Sequence, residues 1–263
     1  MKKALTIAGS DSGGGAGIQA DIKSMSANGV FAMSVITAVT AQNTLGVQGY
    51  VDIPLEYIEM QIDSIFADLV PDAVKTGMLS NPDTVALVAY KVAQYHVDNL
   101  VVDPVMVAKG GSPLLRQEAV DNMKSLLFPQ ALILTPNIPE AEFITGKKIV
   151  SGADMKEVCL EIADMGVRNV LLKGGHMGSV EASDLLYDGE EFHTFTTPRI
   201  NTKNTHGTGC TMASAIAAGL AKGLSVYDSV KSAKCYIQKA IQHADELRIG
   251  SGHGPVDHFW MMK

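Results

Sequence analysis

The sequence predicts an α/β fold, a three-layer α/β/α sandwich around a central, mostly parallel sheet, and three observations carry that prediction. Six short apolar runs alternate with longer amphipathic segments. The runs are nearly continuous in apolar residues, as strands covered on both faces are. Polar residues or glycines follow each run at once. Repeated strand–helix–strand order of this kind builds a parallel sheet with helices on both faces.

The expected strands are KALTIA (3–8), SVITAVTA (34–41), DAVKTGM (72–78), NLVVDPVM (99–106), ALILTPN (131–137) and NVLLKGG (169–175). Helical spacing runs through 16–29, 54–69, 82–96, 117–128 and 154–166. Pro82 followed by the acidic Asp83 marks one helix start, and Gly29 and Gly166 mark two helix ends. After Lys173 the pattern changes to a hairpin over 183–201, turning at Asp188-Gly189, and then two helices over 208–223 and 226–247. No linker, repeat or low-complexity tract interrupts the chain, so one domain over residues 1–263 is expected.

Of the 263 residues, 46% are hydrophobic and 19% charged, enough for a sizeable core and against disorder. A formal net charge of -7 argues against a nucleic-acid partner and against an anionic membrane surface. Any phosphate must therefore be held by local donors. Cys159, Cys210 and Cys235 form no CxxC pair and no disulfide framework, which suits a reducing cytosol. The first apolar run stops at Ala8, too short for a secretory signal, and no run approaches the ~20 residues of a membrane span. A soluble, cytoplasmic protein is expected.

In open parallel sheets ligands bind beyond the carboxyl ends of the strands. The polar and glycine residues gather there: Gly9 to Gly17, Gln42-Asn43, Thr76-Gly77-Met78, Asp103-Pro104, Asn137 and Lys173-Gly174-Gly175. The first loop holds G-x-G-x-x-A at Gly15, Gly17 and Ala20, but TAQNT stands where a dinucleotide fold needs an acidic residue. No Walker A loop is present. The glycine loop is either a permissive turn or a place where backbone approaches a ligand.

Gln42 is either a capping amide or a donor–acceptor pair suited to an aminopyrimidine edge. Asn137 and Glu140 have N-x-x-E spacing at a helix start, which suits water around a magnesium ion that bridges phosphates; Glu140 also suits the helix dipole alone. Asp103 could hold a metal, position a lysine or cap a turn. Lys173, next to two glycines, offers a point charge. HGTGC places Gly207, Thr208 and Gly209 before a helix, an anion site by its free amides and dipole. Cys210 then sits in the first turn, where the dipole is expected to lower its thiol pKa. It could be a nucleophile, a base or a packing residue; zinc lacks a second ligand pair.

Together ALTIAGSDSGGGAGIQADIK, SVITAVTAQNTLGVQ, VKTGML, VVDPVM, LTPNIPEAE, LLKGGH, NTKNTHGTGCT and GHGPVDHF resemble the ribokinase-like superfamily, and within it the hydroxymethylpyrimidine (phosphomethylpyrimidine) kinases of thiamine biosynthesis. The runs extend from residue 4 to 259. The resemblance implies ATP-dependent phosphorylation of 4-amino-5-hydroxymethyl-2-methylpyrimidine and of its monophosphate, with Mg²⁺, and a monovalent cation as a further candidate. It implies that Gly9, Asp11, Gln42, Met78 and Val105 form the pyrimidine pocket. Asn137, Glu140 and Lys173, with Thr208, would serve Mg-ATP, with Asp103 as a further metal contact. Gly207, Thr208 and Gly209 match an anion hole and Cys210 a catalytic base. The superfamily's sugar kinases have Asp at the Cys210 position, which points to the vitamin-kinase branch. A homodimer is expected from the family. Pyridoxal phosphorylation is the alternative, and a Cys210–His206 hydrolase or a non-catalytic vitamin-binding module are the rivals from other classes.

Overall fold

The computed structural model describes residues 1–106, 117–175 and 181–262. Nine strands form one sheet in the order β3-β2-β1-β4-β5-β6-β7-β8-β9: β1 (Lys3–Asp11), β2 (Phe31–Asn43), β3 (Gly46–Asp52), β4 (Ala73–Thr76), β5 (Leu100–Val102), β6 (Ile133–Leu134), β7 (Val170–Lys173), β8 (Glu181–Tyr187) and β9 (Phe192–Pro198). The six from β2 to β7 in that order are parallel to their neighbours, and β3, β8 and β9 run antiparallel at the two edges. The hairpin turn falls at Asp188, whose carboxylate accepts the N–H groups of Glu190 and Glu191.

Eight α-helices lie among the described residues: α1 (Gly17–Ala27), α2 (Leu55–Asp68), α3 (Pro82–Gln94), α4 (Gln117–Asn122), α5 (Ile138–Thr145), α6 (Gly152–Asp164), α7 (Thr208–Ala221) and α8 (Val226–Gln242). Alternation along the strands sends side chains to two cores. Leu5, Ile7, Val35, Val74, Val102 and Leu172 pack with α2 to α6. Ala4, Ala73, Val101, Ile133 and Leu171 pack with α1, α7 and α8. Small residues let α7 lie close to the sheet: eleven of its fourteen residues are buried. The result is the three-layer sandwich that the alternation predicts.

Local chemistry explains the helix starts. Asn81 accepts from the Thr84 N–H ahead of Pro82, Ser151 and Asp154 form a reciprocal cap, and Ser225 caps α8. Three expectations need correction. The first two strands run on past their apolar cores, to Asp11 and Asn43, so Gly9 and Gln42 lie in strands rather than in the loops after them. Strand β3 was not predicted, because its residues are mostly exposed and carry no apolar run. The helix expected over 117–128 is α-helical only to Asn122; a π turn over Met123–Leu127 and a 3₁₀ turn over Phe128–Gln130 follow, where Pro129 has no N–H to give.

Candidate active site

The chain moves outward from β1 in both directions, to β2 on one side and β4 on the other, so the sheet has a topological switch point at β1/β4. A cleft with a cavity volume of about 780 Å³ opens at the carboxyl ends of the strands there. Every site residue named from the sequence lines it, from Gly9, Asp11 and Gln42 through Met78, Asp103, Val105, Asn137, Glu140 and Lys173 to Gly207, Thr208, Gly209 and Cys210. His176, the last residue of the LLKGGH run, lies outside the described residues.

Two helices begin at this cleft without a capping side chain. Helix α7 has Gly207 at its N-cap in the left-handed region (φ 77°), and α1 has Ala16. Neither can cap the first-turn amides by a side chain; the Gly17 N–H goes to the Cys210 sulfur and the Thr208 N–H reaches the Thr205 carbonyl oxygen at 3.4 Å, and the positive dipole ends still favour an anion. The two starts are locked together, because a methyl on Gly207 would run into the Gly15 carbonyl oxygen. Cys210 lies between them and receives the Gly17 N–H on its sulfur.

Despite both helix ends, the Cys210 thiol is not acidified. Burial pushes it up to about 12, and the Asp21 and Asp103 carboxylates add to that, against the opposing Lys75 ammonium and the Gly17 N–H. The expected lowering is therefore corrected: desolvation of a thiolate outweighs the dipole here. No hydrogen bond joins Cys210 to His206 among the described residues; His206 Nε2 lies 2.9 Å from Asp11 Oδ2, so a Cys–His nucleophile pair is not formed.

Lys173 ends β7 and pairs with Asp103 Oδ1 at 3.1 Å, which also accepts from Thr135 Oγ1. Burial would strip the Lys173 proton, but Asp103 and Glu140 overrule it and hold the ammonium above its usual range. A methyl on Gly209 would sit 3.4 Å from Lys173 Nζ, so this charge stands beside the α7 amides. Asn137 and Glu140 cap α5 reciprocally: Asn137 Oδ1 accepts from the Glu140 N–H at 2.9 Å, and Glu140 Oε2 from the Asn137 N–H at 2.8 Å. The helix-start role is thus present, and both side chains still line the cleft.

Burial raises the Glu140 carboxyl to about 7, against the lowering pull of Lys173. A carboxyl raised in the fold keeps a proton that the unfolded chain has lost. Its contribution is therefore full below the unfolded value of about 4.3 and is lost as pH climbs toward 7. Glu140→Gln, which keeps the cap acceptor, should remove that slope. Wild type is expected to lose on the order of 2–3 kcal/mol more than the variant between pH 4.5 and 7.5 in parallel urea titrations. Equal slopes would show that Glu140 titrates normally.

At the other end of the cleft, the glycine loop already holds an anion, the Asp11 side chain. Asp11 Oδ1 accepts from the Gly13 N–H at 2.8 Å, and Oδ2 accepts from Gly15 at 3.0 Å and Ala16 at 2.8 Å. Burial would raise this carboxyl, but the bonds from His206 and these amides outweigh it and hold it below the usual range. Gln42 sits at a bulge in the β2–β3 ladder, its backbone clamped both ways to Ser12 Oγ at 2.8 Å. A methyl on Gly9 would fall 2.7 Å from Met78 Cε, so the tip of the Met78 side chain would have to move.

Sequence reasoning missed a buried cluster beneath Cys210. Lys75 Nζ lies 2.9 Å and 3.0 Å from the two Asp21 oxygens, both side chains wholly buried. Thr6 and Ser214 hydroxyls complete the carboxylate, each at 2.6 Å. A lysine inside a strand and an aspartate on the buried face of a helix, against the amphipathic pattern, were its only local signals. Asp184 and Lys234, paired at 2.6 Å along the cleft, were missed likewise.

Among the described residues no group of three or more His, Cys, Asp or Glu side chains could hold a metal ion. Asp103, which accepts from Lys173 and Thr135 through Oδ1, and Glu140 are the carboxyl groups of the cleft suited to a metal's water shell. That donor set fits a magnesium ion carried in by phosphates rather than a resident protein cage. No helix among the described residues is long and apolar enough to cross a membrane.

Comparison with known proteins gives the same direction. The family model for phosphomethylpyrimidine kinase matches residues 11–257. The hydroxymethylpyrimidine/phosphomethylpyrimidine kinase of Bacillus subtilis (strain 168) is 52% identical over 258 residues, 98% of this chain and 94% of that protein. The structure of the phosphomethylpyrimidine kinase of Clostridium difficile 630 superposes with a TM-score of 0.83 at 46% identity, covering 92% of this chain and 100% of that one. An ADP complex of Bacillus subtilis pyridoxal kinase superposes with a TM-score of 0.92 at 36% identity, covering 100% and 99%.

Proposed function

Because the chain belongs to the phosphomethylpyrimidine kinase family, we propose that it moves the γ-phosphoryl group of ATP to 4-amino-5-hydroxymethyl-2-methylpyrimidine, and then phosphorylates the monophosphate to the pyrophosphate used in thiamine biosynthesis. One observation carries this reading: the uncapped starts of α1 and α7 meet at Cys210, with Lys173 beside them. Phosphoryl transfer needs placement and charge neutralisation rather than covalent chemistry.

In the first step the hydroxymethyl oxygen bonds to the γ-phosphorus, the bond to the ADP oxygen breaks, and the alcohol proton passes to the Cys210 sulfur in its thiolate form, which becomes the thiol. The Gly207-Thr208-Gly209 start of α7 donates N–H groups to the transferring oxygens. Lys173, held in place by Asp103, sets a point charge against the phosphates. Magnesium arriving with ATP would offset phosphate charge, and Asn137 and Glu140 would orient its water. A monovalent cation is a further candidate cofactor. Gln42, with Gly9, Met78 and Val105, would hold the ring.

The fold neighbour among pyridoxal kinases favours a second reading, in which pyridoxal is the acceptor. Gln42 and the higher identity to the pyrimidine kinases support the first. A coupled ADP-release assay with the pyrimidine alcohol, its monophosphate and pyridoxal side by side decides. The expected kcat/KM for the alcohol exceeds that for pyridoxal by about tenfold or more, the value of one well-made polar contact; the reverse order would overturn the assignment.

A single kinase domain over residues 1–263, acting in the cytoplasm, completes the reading, supported by one continuous sheet and by cysteines that are all free. A homodimer is supported by the exposed apolar side chains of Tyr50, Val51, Tyr57 and Met60 on β3 and α2.

A further inference from the structure

Thr40, Gln42, His206 and Asp11 form a chain of polar contacts at the β2 end of the cleft, and counting their protons settles which way the Gln42 amide points. Asp11 is a carboxylate already holding three backbone N–H groups, so toward His206 Nε2, 2.9 Å away, it can only accept. Nε2 therefore carries a hydrogen, whatever the state of Nδ1. With Gln42 Nε2 placed 3.3 Å from that same nitrogen, two donors would face each other.

The other end of the amide is poorly matched as well. Thr40 has a single O–H, taken chiefly by the Ser10 carbonyl oxygen at 2.9 Å, so Gln42 Oε1 at 3.2 Å receives only a minor share of it. A half-turn of the amide, which exchanges two atoms of nearly equal size, removes the donor–donor opposition at His206 and gives the Thr40 oxygen a donor. Oε1 then shares the His206 N–H with Asp11 in a three-centre contact, and Nε2 donates to Thr40. One N–H and one oxygen lone pair are left over for a ligand.

We propose that His206, locked by Asp11, is a positioning residue that fixes the Gln42 amide with its oxygen toward His206 and its nitrogen toward Thr40, so that the cleft admits a ring edge with its donor on the His206 side and its acceptor on the Thr40 side. This rests on the reading that Gln42 meets the pyrimidine. An exocyclic amino group beside a ring nitrogen supplies that order of donor and acceptor. A 4-oxo analogue, with a carbonyl beside a ring N–H, supplies the reverse. The histidine has little freedom to release its grip: its backbone N–H donates to the Gly254 carbonyl at 3.0 Å, and a methyl on Gly15 would stand only 2.5 Å from its Cδ2.

The test is the selectivity of the full-length enzyme for the amino pyrimidine over its 4-oxo analogue, as a ratio of kcat/KM, in wild type, His206→Phe and Gln42→Leu. Wild type should prefer the amino edge by about 100-fold or more, as sites built for one hydrogen-bond pattern do. In His206→Phe the amide is free to turn, and the preference should fall at least about tenfold, through KM, with kcat for the amino substrate within about threefold. Gln42→Leu should abolish it. A wild-type preference retained in His206→Phe but lost in Gln42→Leu overturns the positioning role and leaves the pyrimidine reading standing. A preference retained in Gln42→Leu overturns both. Should the histidine variant not fold, a crystal structure of the wild-type complex decides: the amino nitrogen is expected on the His206 side, and finding it on the Thr40 side refutes the proposal.

Discussion

Cys210→Ala is expected to cut kcat/KM for the pyrimidine alcohol by on the order of 10²–10⁴, the usual worth of a general base, while the second phosphorylation falls less than about tenfold. The asymmetry comes from the acceptors. An alcohol must lose a proton as it bonds to phosphorus, whereas a monophosphate, with a second pKa near 6, presents an ionised oxygen at neutral pH. Because burial pushes the resting thiol up to about 12, the thiolate fraction grows with pH across the whole neutral range. The first step should therefore accelerate roughly tenfold per pH unit from about pH 7 to 9, and the second should stay nearly flat. Initial rates of ADP release with each acceptor check both statements. Equal losses on mutation, or a plateau for the alcohol below about pH 9, would remove Cys210 as the base. Alkylation gives an independent measure: iodoacetamide at neutral pH should label the exposed Cys235 before Cys210.

Gly207→Ala should be the most damaging change that leaves every catalytic side chain in place. Its φ of 77° already strains any residue with a Cβ, by roughly 1–2 kcal/mol. Its methyl would also strike the Gly15 carbonyl, an overpacking cost of roughly 1–3 kcal/mol. Gly29, with the same φ of 77° and nothing within 4 Å of where its methyl would stand, isolates the first cost. Thermal melting should place Gly29→Ala within a few degrees of wild type and Gly207→Ala about 10 °C below it. Activity should survive in the former and fall about 100-fold or more in the latter, since α7 would be displaced from the transferring group. Similar behaviour of the two variants would show that the helix starts are not locked.

The strand ends were legible because polar residues and glycines break apolar runs at fixed places, and each of the six ends contributes at least one residue to one cleft. The HGTGC helix start was equally legible, since a glycine N-cap and small residues leave their mark in local sequence. What could not be read came from residues distant in the chain. Cys210 lies in a first helical turn, which by itself predicts an acidic thiol; Asp21, Lys75 and Asp103 approach it only after folding, and burial with the two carboxylates reverses the outcome. Gln42 was assigned to a loop because β3, its ladder partner, has exposed side chains on both faces and so shows no hydrophobic pattern. The Asp11 cradle did have a local signal, an aspartate two, four and five residues before Gly13, Gly15 and Ala16, but the glycines drew attention to a turn or an outside ligand instead.

That cradle bears on the design of inhibitors. A glycine-rich loop beside a nucleotide cleft invites a chemist to aim a phosphonate or carboxylate at it. In this enzyme such a group would have to evict a side chain that is already tethered to the chain, without the translational cost of a separate ligand, and that is paired with a histidine. Anionic pharmacophores belong at the α7 end of the cleft, and neutral hydrogen-bonding heterocycles at the Asp11 end.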